Sequence, residues 1–228
     1  MATPRLRWPD GIDPRVAGAA VTAALVIVLY QLRGAWLPFG RDASLRGQAL
    51  SLGVRALLYL AVPLAVARGF RLGARDLGLS PVGLGAYARR TLPLYAGLWV
   101  AMLPLAWIAA GTAPFQRTYP QCKQAADGAG PLLAWWGLYA LSLLSVEVFY
   151  RGFLLGMLRA PLGRNAIPVS MLAYAVAHSG KPLGEALGAI VTGSLLGWLA
   201  FESRSIWLGW GLHCAVAFSL EALVLVRR

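Results

Sequence analysis

Apolar stretches long enough to cross a lipid bilayer recur from one end of the chain to the other, at roughly residues 16–32, 48–67, 91–111, 131–157, 165–178, 186–201 and 205–226. A helix needs about 20 apolar residues to span the hydrocarbon layer. Inside that layer the backbone N–H and C=O groups have no water to bond, so runs of this length must satisfy them within a helix. With 58% of 228 residues hydrophobic and 13% charged, little remains for a separate water-soluble core. The expected architecture is an all-α polytopic membrane helix bundle of about seven transmembrane helices, forming a single integral-membrane domain over residues 1–228. Run 165–178 is short for a crossing, and run 131–157 is long enough to tilt or to extend past the membrane surface.

The net charge of +12 is spread through the connections rather than gathered on one face. Such a distribution suits anionic lipid headgroups better than a nucleic acid. The connection after the second run holds Arg68, Arg71, Arg75, Arg89 and Arg90 and is placed in the cytoplasm, with Arg5, Arg7, Arg15, Arg159, Arg164 and Arg204. Arg33, Arg41, Arg46, Arg117, Lys123, Lys181, Arg227 and Arg228 fall on the other side, a smaller basic group. The polar segment Met1–Arg15 precedes a run without a small-residue cleavage site and reads as the approach to an uncleaved first helix. Residues 72–90 are too charged to cross and form a short interfacial helix or loop, while Thr112 to Gly130 is an aqueous connection. Cys122 and Cys214 lie in a polar loop and an apolar run, so no disulfide framework is expected.

The acids divide the chain. All five aspartates lie in the first 127 residues, in connections or near the terminus, whereas Glu147, Glu185, Glu202 and Glu221 come later. The two histidines, His178 and His213, interrupt apolar runs in that later half. An ionisable group at membrane depth costs several kcal/mol, which makes it a candidate for function. Glu147 and Arg151 are four residues apart, so on a helix they share a face and can pair. His178 closes the run Tyr174-Ala-Val-Ala-His178 and is followed by Ser-Gly-Lys-Pro-Leu-Gly-Glu185. His213 sits within Trp207-Leu-Gly-Trp-Gly-Leu-His213-Cys-Ala-Val-Ala217. Each feature has a structural alternative: an intrahelical ion pair for Glu147 and Arg151, and hydrogen-bonded packing for each histidine. Glu202 and Arg204 read as solvated, Lys181 as snorkelling to a headgroup, and Glu221 as a helix-end acid or a partner for Arg227. A glutamate and two histidines also make a catalytic zinc ligand set, although no His-Glu-x-x-His helix is present.

The ordered series Glu-x-x-x-Arg, aromatic-x-x-x-His and a histidine in the last helix resembles the CAAX prenyl protease and bacteriocin-processing family of intramembrane proteases. The similarity covers about residues 75–228. It is greatest to a branch with Tyr119-Pro120, the core Phe-Tyr-Arg-Gly-Phe-Leu-Leu (149–155), His-x-Gly-Lys-Pro-x-x-Glu (178–185) and Ser-Ile-Trp (205–207). The resemblance implies an intramembrane endopeptidase acting on a membrane-associated protein or peptide, without a cofactor and in a bacterial cytoplasmic membrane. Carried over, Glu147 and His178 activate a water, His213 stabilises the oxyanion, Arg151 clamps Glu147, and Glu185 is a supporting acid. Were zinc used instead, its ligands would be Glu147, His178 and His213. The chain differs from the family pattern at Val146, where a first glutamate is usual, and at Ala217, where an asparagine is usual. Those differences leave a catalytically inactive relative, or a transporter-like binding protein, as the alternative.

Overall fold

A computed structural model describes residues 11–228, so Arg5 and Arg7 lie outside the described residues. The chain is helical, with no strand among the described residues. Helix α1 (Pro14–Gln31) starts where Asp13 accepts from the Arg15 N–H at 2.7 Å and Pro14 supplies a preset φ at the first helical position. After a single turn, α2 (Arg33–Trp36), Ser44 caps α3 (Leu45–Ala56), which runs through a π-helical turn at Leu57–Ala61 into α4 (Val62–Gly69). Helix α5 (Leu84–Ala110) follows, then the short α6 (Ala113–Thr118). Helix α7 (Ala129–Glu147) continues through a π-helical segment, Val148–Leu154, into α8 (Leu155–Leu162). Helices α9 (Ala166–Val176), α10 (Leu183–Ser203) and α11 (Trp207–Val226) complete the chain.

Six stretches are long and apolar enough to cross a membrane: Pro14–Gln31, Leu45–Gly69, Leu84–Ala110, Ala129–Val176, Leu183–Ser203 and Trp207–Val226. The expected run 131–157 and all but the last two residues of run 165–178 lie within one of these, Ala129–Val176, interrupted at Gly163–Asn165 by a 3-10 turn. Its second limb, α9, has 11 residues and reaches only about 16 Å, too short to cross alone. Residues 72–83 form the anticipated loop, but the next helix begins at Leu84 rather than at 91.

The π segment lies at the centre of the bundle, and all seven of its residues are buried. Phe149 stacks on Phe153, and Tyr59, Tyr150 and Tyr174 continue an aromatic column through edge contacts. Ser170 of α9 donates to the Tyr150 carbonyl at 2.7 Å, satisfying a backbone acceptor within the π segment. Gly152 and Gly156 let the 72–79 loop approach closely. A Cβ at Gly152 would lie 3.0 Å from the Leu77 carbonyl oxygen, and one at Gly156 would lie 3.0 Å from that of Asp76. The same loop is tied to the start of α11, because Ile206 N–H donates to the Gly78 carbonyl and Trp207 Nε1 to that of Leu79. The fold thereby fixes the π segment between α4, α9, α10 and a well-anchored loop.

Candidate active site

Glu147 ends α7 at the entrance to the π segment and is fully buried. Its Oε1 accepts from His213 Nδ1 at 2.7 Å and from Arg151 Nη1 at 3.3 Å. Its Oε2 is buried and has no donor. Helix α11 brings His213 to that carboxylate, and Gly209, one turn earlier, lies beside the other oxygen without a side chain: a Cβ there would lie 3.8 Å from Oε2. The intrahelical pair expected from the spacing of Glu147 and Arg151 therefore forms, and it extends to a third residue from a distant helix.

Tyr174 organises the rest. Its ring faces the Arg151 guanidinium at 4.2 Å, its hydroxyl lies 3.4 Å from His213 Nε2, and its ring centroid is 4.4 Å from that of His178. His178 sits in the turn after α9 and bonds through Nδ1 to the Tyr174 carbonyl at 2.8 Å. A carbonyl only accepts, so Nδ1 carries the proton and the lone pair of the neutral ring lies on Nε2. Burial draws the His178 pKa down to about 4, which keeps the ring neutral near pH 7. Glu147, Arg151, His213 and His178 thus surround one tyrosine, the first three in direct contact and His178 joined through Tyr174.

Glu185 lies near enough to the His178 ring to favour its charged form, and makes its direct contacts with another pair of side chains. Its Oε1 accepts from the Tyr119 hydroxyl at 2.6 Å and lies 3.3 Å from Lys181 Nζ, which also donates to the Tyr119 oxygen at 2.8 Å. Burial holds the Tyr119 hydroxyl well above its ordinary pKa, so it remains a donor to the carboxylate. Lys181 does not snorkel: it is committed to this cluster, with its pKa lowered by burial. Among the described residues no group of three or more histidine, cysteine or acidic side chains is spaced to hold a metal ion. Cys122 and Cys214 are free thiols.

Two buried ionic groups escaped the sequence reading. Glu221 is neither a helix-end acid nor a partner for Arg227. It is fully buried and accepts from the Gln121 N–H at 3.0 Å, Trp135 Nε1 at 2.7 Å and Trp136 Nε1 at 3.2 Å. Arg227 instead donates to the Trp107 carbonyl. Arg55, inside the second apolar run, donates to Ser142 and Tyr30 hydroxyls and stands over the Tyr30 ring, with no carboxylate within ion-pair distance among the described residues. An arginine in an apolar run was visible as a signal; the three donors to Glu221 come from two other segments and left none. Glu202, as expected, is exposed, and it pairs with Arg164 at 3.0 Å.

Residues 128–219 match the family model described as Rce1-like, type II CAAX prenyl endopeptidase. The matched region contains Glu147, Arg151, His178, Glu185 and His213, and it is similar to intramembrane proteases of CAAX type. No curated protein and no solved structure matches the chain.

Proposed function

We propose that this Rce1-like membrane protein cleaves a peptide bond in a membrane-associated protein or peptide, with a water activated between Glu147 and His178. The observation that carries the reading is the Glu147 carboxylate. It is fully buried and held on Oε1 by His213 and Arg151, while Oε2 is left without a donor. Such an oxygen can orient a water by accepting a hydrogen bond from one of its O–H groups, whose proton stays on the water oxygen. His178 Nε2, free of protein partners, takes the other proton as the water oxygen attacks the scissile carbonyl carbon. The tetrahedral oxyanion needs donors. The Tyr174 hydroxyl supplies one, and His213 supplies another from Nε2 when both ring nitrogens are protonated and Nδ1 stays on Glu147. Collapse breaks the C–N bond, and the proton held by His178 passes to the leaving amine. In this scheme Tyr174 substitutes for the donor missing at Ala217, and Arg151 keeps Glu147 in place.

Glu185, with Lys181 and Tyr119, acts in the same scheme as a clamp on the turn that carries His178. The reading places the chain in a bacterial cytoplasmic membrane and assigns the chemistry to protein side chains, without a cofactor. A second reading, an inactive relative that binds without cutting, is favoured by the apolar packing of Val146 and Ala217 at positions where the family has polar groups. Purified protein incubated with a prenylated peptide carrying a free C-terminal tripeptide separates the two. Wild type releases the tripeptide, detected by mass spectrometry, and Glu147→Gln, His178→Asn and His213→Asn do not. Retention of the intact peptide by all four proteins would establish the binding-only reading for this substrate class.

A further inference from the structure

A cavity of about 230 Å³, walled in part by Arg151, opens at the end of the bundle where α1 begins and α8 and α10 end. Arg15, Arg75, Arg159 and Arg204 line it together with one acid, Asp76. Among the described residues none of these four arginines has a carboxylate within ion-pair distance. Asp76 is engaged as well, since one of its oxygens accepts from the Gly73 N–H at 2.8 Å. Arg151 also forms part of the wall. It is buried and paired with Glu147 through Nη1, and its Nε and Nη2 have no hydrogen-bond partner. Arg159 donates to the Phe201 carbonyl at 2.6 Å and lies over its ring at 3.8 Å, which orients its guanidinium without neutralising it. Four guanidinium groups from four parts of the chain, with a fifth behind them, thus share a wall with a single carboxylate, and the excess positive charge favours an added anion.

We propose that this cavity binds the phosphate of an anionic phospholipid headgroup. Arginine forks match tetrahedral phosphate oxygens in bidentate fashion. Basic pockets between the ends of transmembrane helices are suited to anionic headgroups. Position supports a lipid source, because Arg15, Arg159 and Arg204 lie at or near helix ends, where lipid headgroups meet protein. The shared wall at Arg151 connects the bound phosphate to the group that holds Glu147. This inference is independent of the peptidase reading, and its test needs no turnover.

The test is a titration of the full-length protein in phosphatidylcholine mixed micelles with phosphatidic acid, following thermal unfolding by tryptophan fluorescence. Wild type is expected to show a saturable rise in Tm. Arg75→Gln/Arg204→Gln, which changes two exposed residues, is expected to weaken the apparent affinity about tenfold or more. Arg89→Gln/Arg90→Gln removes the same charge outside the cavity and is expected to titrate like wild type. Should the pocket double variant lose its folded baseline, Arg75→Gln alone is measured, with a smaller loss expected. Equal weakening in the two double variants, or no saturable rise in wild type, would overturn the proposal. Inorganic phosphate is run in parallel. Failure to compete supports a lipid source, and full competition at the same phosphate concentration overturns it in favour of a soluble phosphate ester.

Discussion

Replacing Glu147 by glutamine keeps the shape of the side chain and an acceptor for His213 Nδ1, but removes the charge that faces Arg151. The Arg151 side chain is 1% exposed, and two of its three guanidinium nitrogens already have no partner. Removing one member of a buried ion pair strands the other charge and typically costs about 3–5 kcal/mol. Here the Tyr174 ring at 4.2 Å offsets part of that cost, since a desolvated cation–π contact contributes about 2 kcal/mol. A net loss of about 1–3 kcal/mol is therefore expected for Glu147→Gln. The double variant Glu147→Gln/Arg151→Met removes the stranded cation and should recover most of that stability while staying inactive. Denaturant unfolding in detergent, followed by the fluorescence of the nine tryptophans, measures both. If the single variant is as stable as wild type, or the double variant is no more stable than the single one, Arg151 does not depend on Glu147 for its charge balance and the reasoning fails.

Three further outcomes follow from the same geometry. His178 folds with its pKa near 4 instead of the ordinary 6.5, so between those values the unfolded chain binds a proton that the folded one does not. Stability is then undiminished above pH 6.5 and falls as pH drops, by about 3 kcal/mol at pH 4; unfolding at pH 7, 5.5 and 4.5 should show a steeper decline in wild type than in His178→Gln, and parallel slopes would count against it. Gly209→Ala meets only ordinary contacts, so the protein should fold normally, yet its methyl group lies against Glu147 Oε2; turnover should fall roughly tenfold or more, and unchanged turnover would remove Oε2 as the water-binding oxygen. Glu221→Ala leaves two indole N–H groups and one backbone N–H without their acceptor, at an expected cost of about 3 kcal/mol, whereas Glu202→Ala at an exposed pair should cost less than about 1 kcal/mol.

Much of this arrangement was legible in the sequence, because lipid permits few alternatives. Apolar run length selects helix, and the interval from Glu147 to Arg151 sets one shared face. The motif around His178 placed a histidine at a helix end, where the structure has it. Other features depend on contacts between distant segments, which periodicity does not encode. Nothing local to Tyr174 reveals that its ring, hydroxyl and carbonyl serve Arg151, His213 and His178 in turn. Glu185 lies near the His178 ring, but the Tyr119 hydroxyl from which it accepts comes from 66 residues earlier in the chain and left no local signal. The π-helical segment was hidden as well. Its extra residue per turn is stabilised by packing against Ser170 and the 72–79 loop rather than by the propensities of Val148–Leu154.

The central claim is that Glu147, His178 and His213 act as one unit on a single water, and turnover of the single and triple variants tests it most directly. Groups that act together are strongly non-additive, so removing one costs about as much as removing all. With a cleavable prenylated peptide, Glu147→Gln, His178→Asn, His213→Asn and the triple variant should all fall to the same residual rate while their folded baselines remain measurable. Wild-type turnover in any of the three single variants would contradict the account, as would losses that multiply in the triple variant.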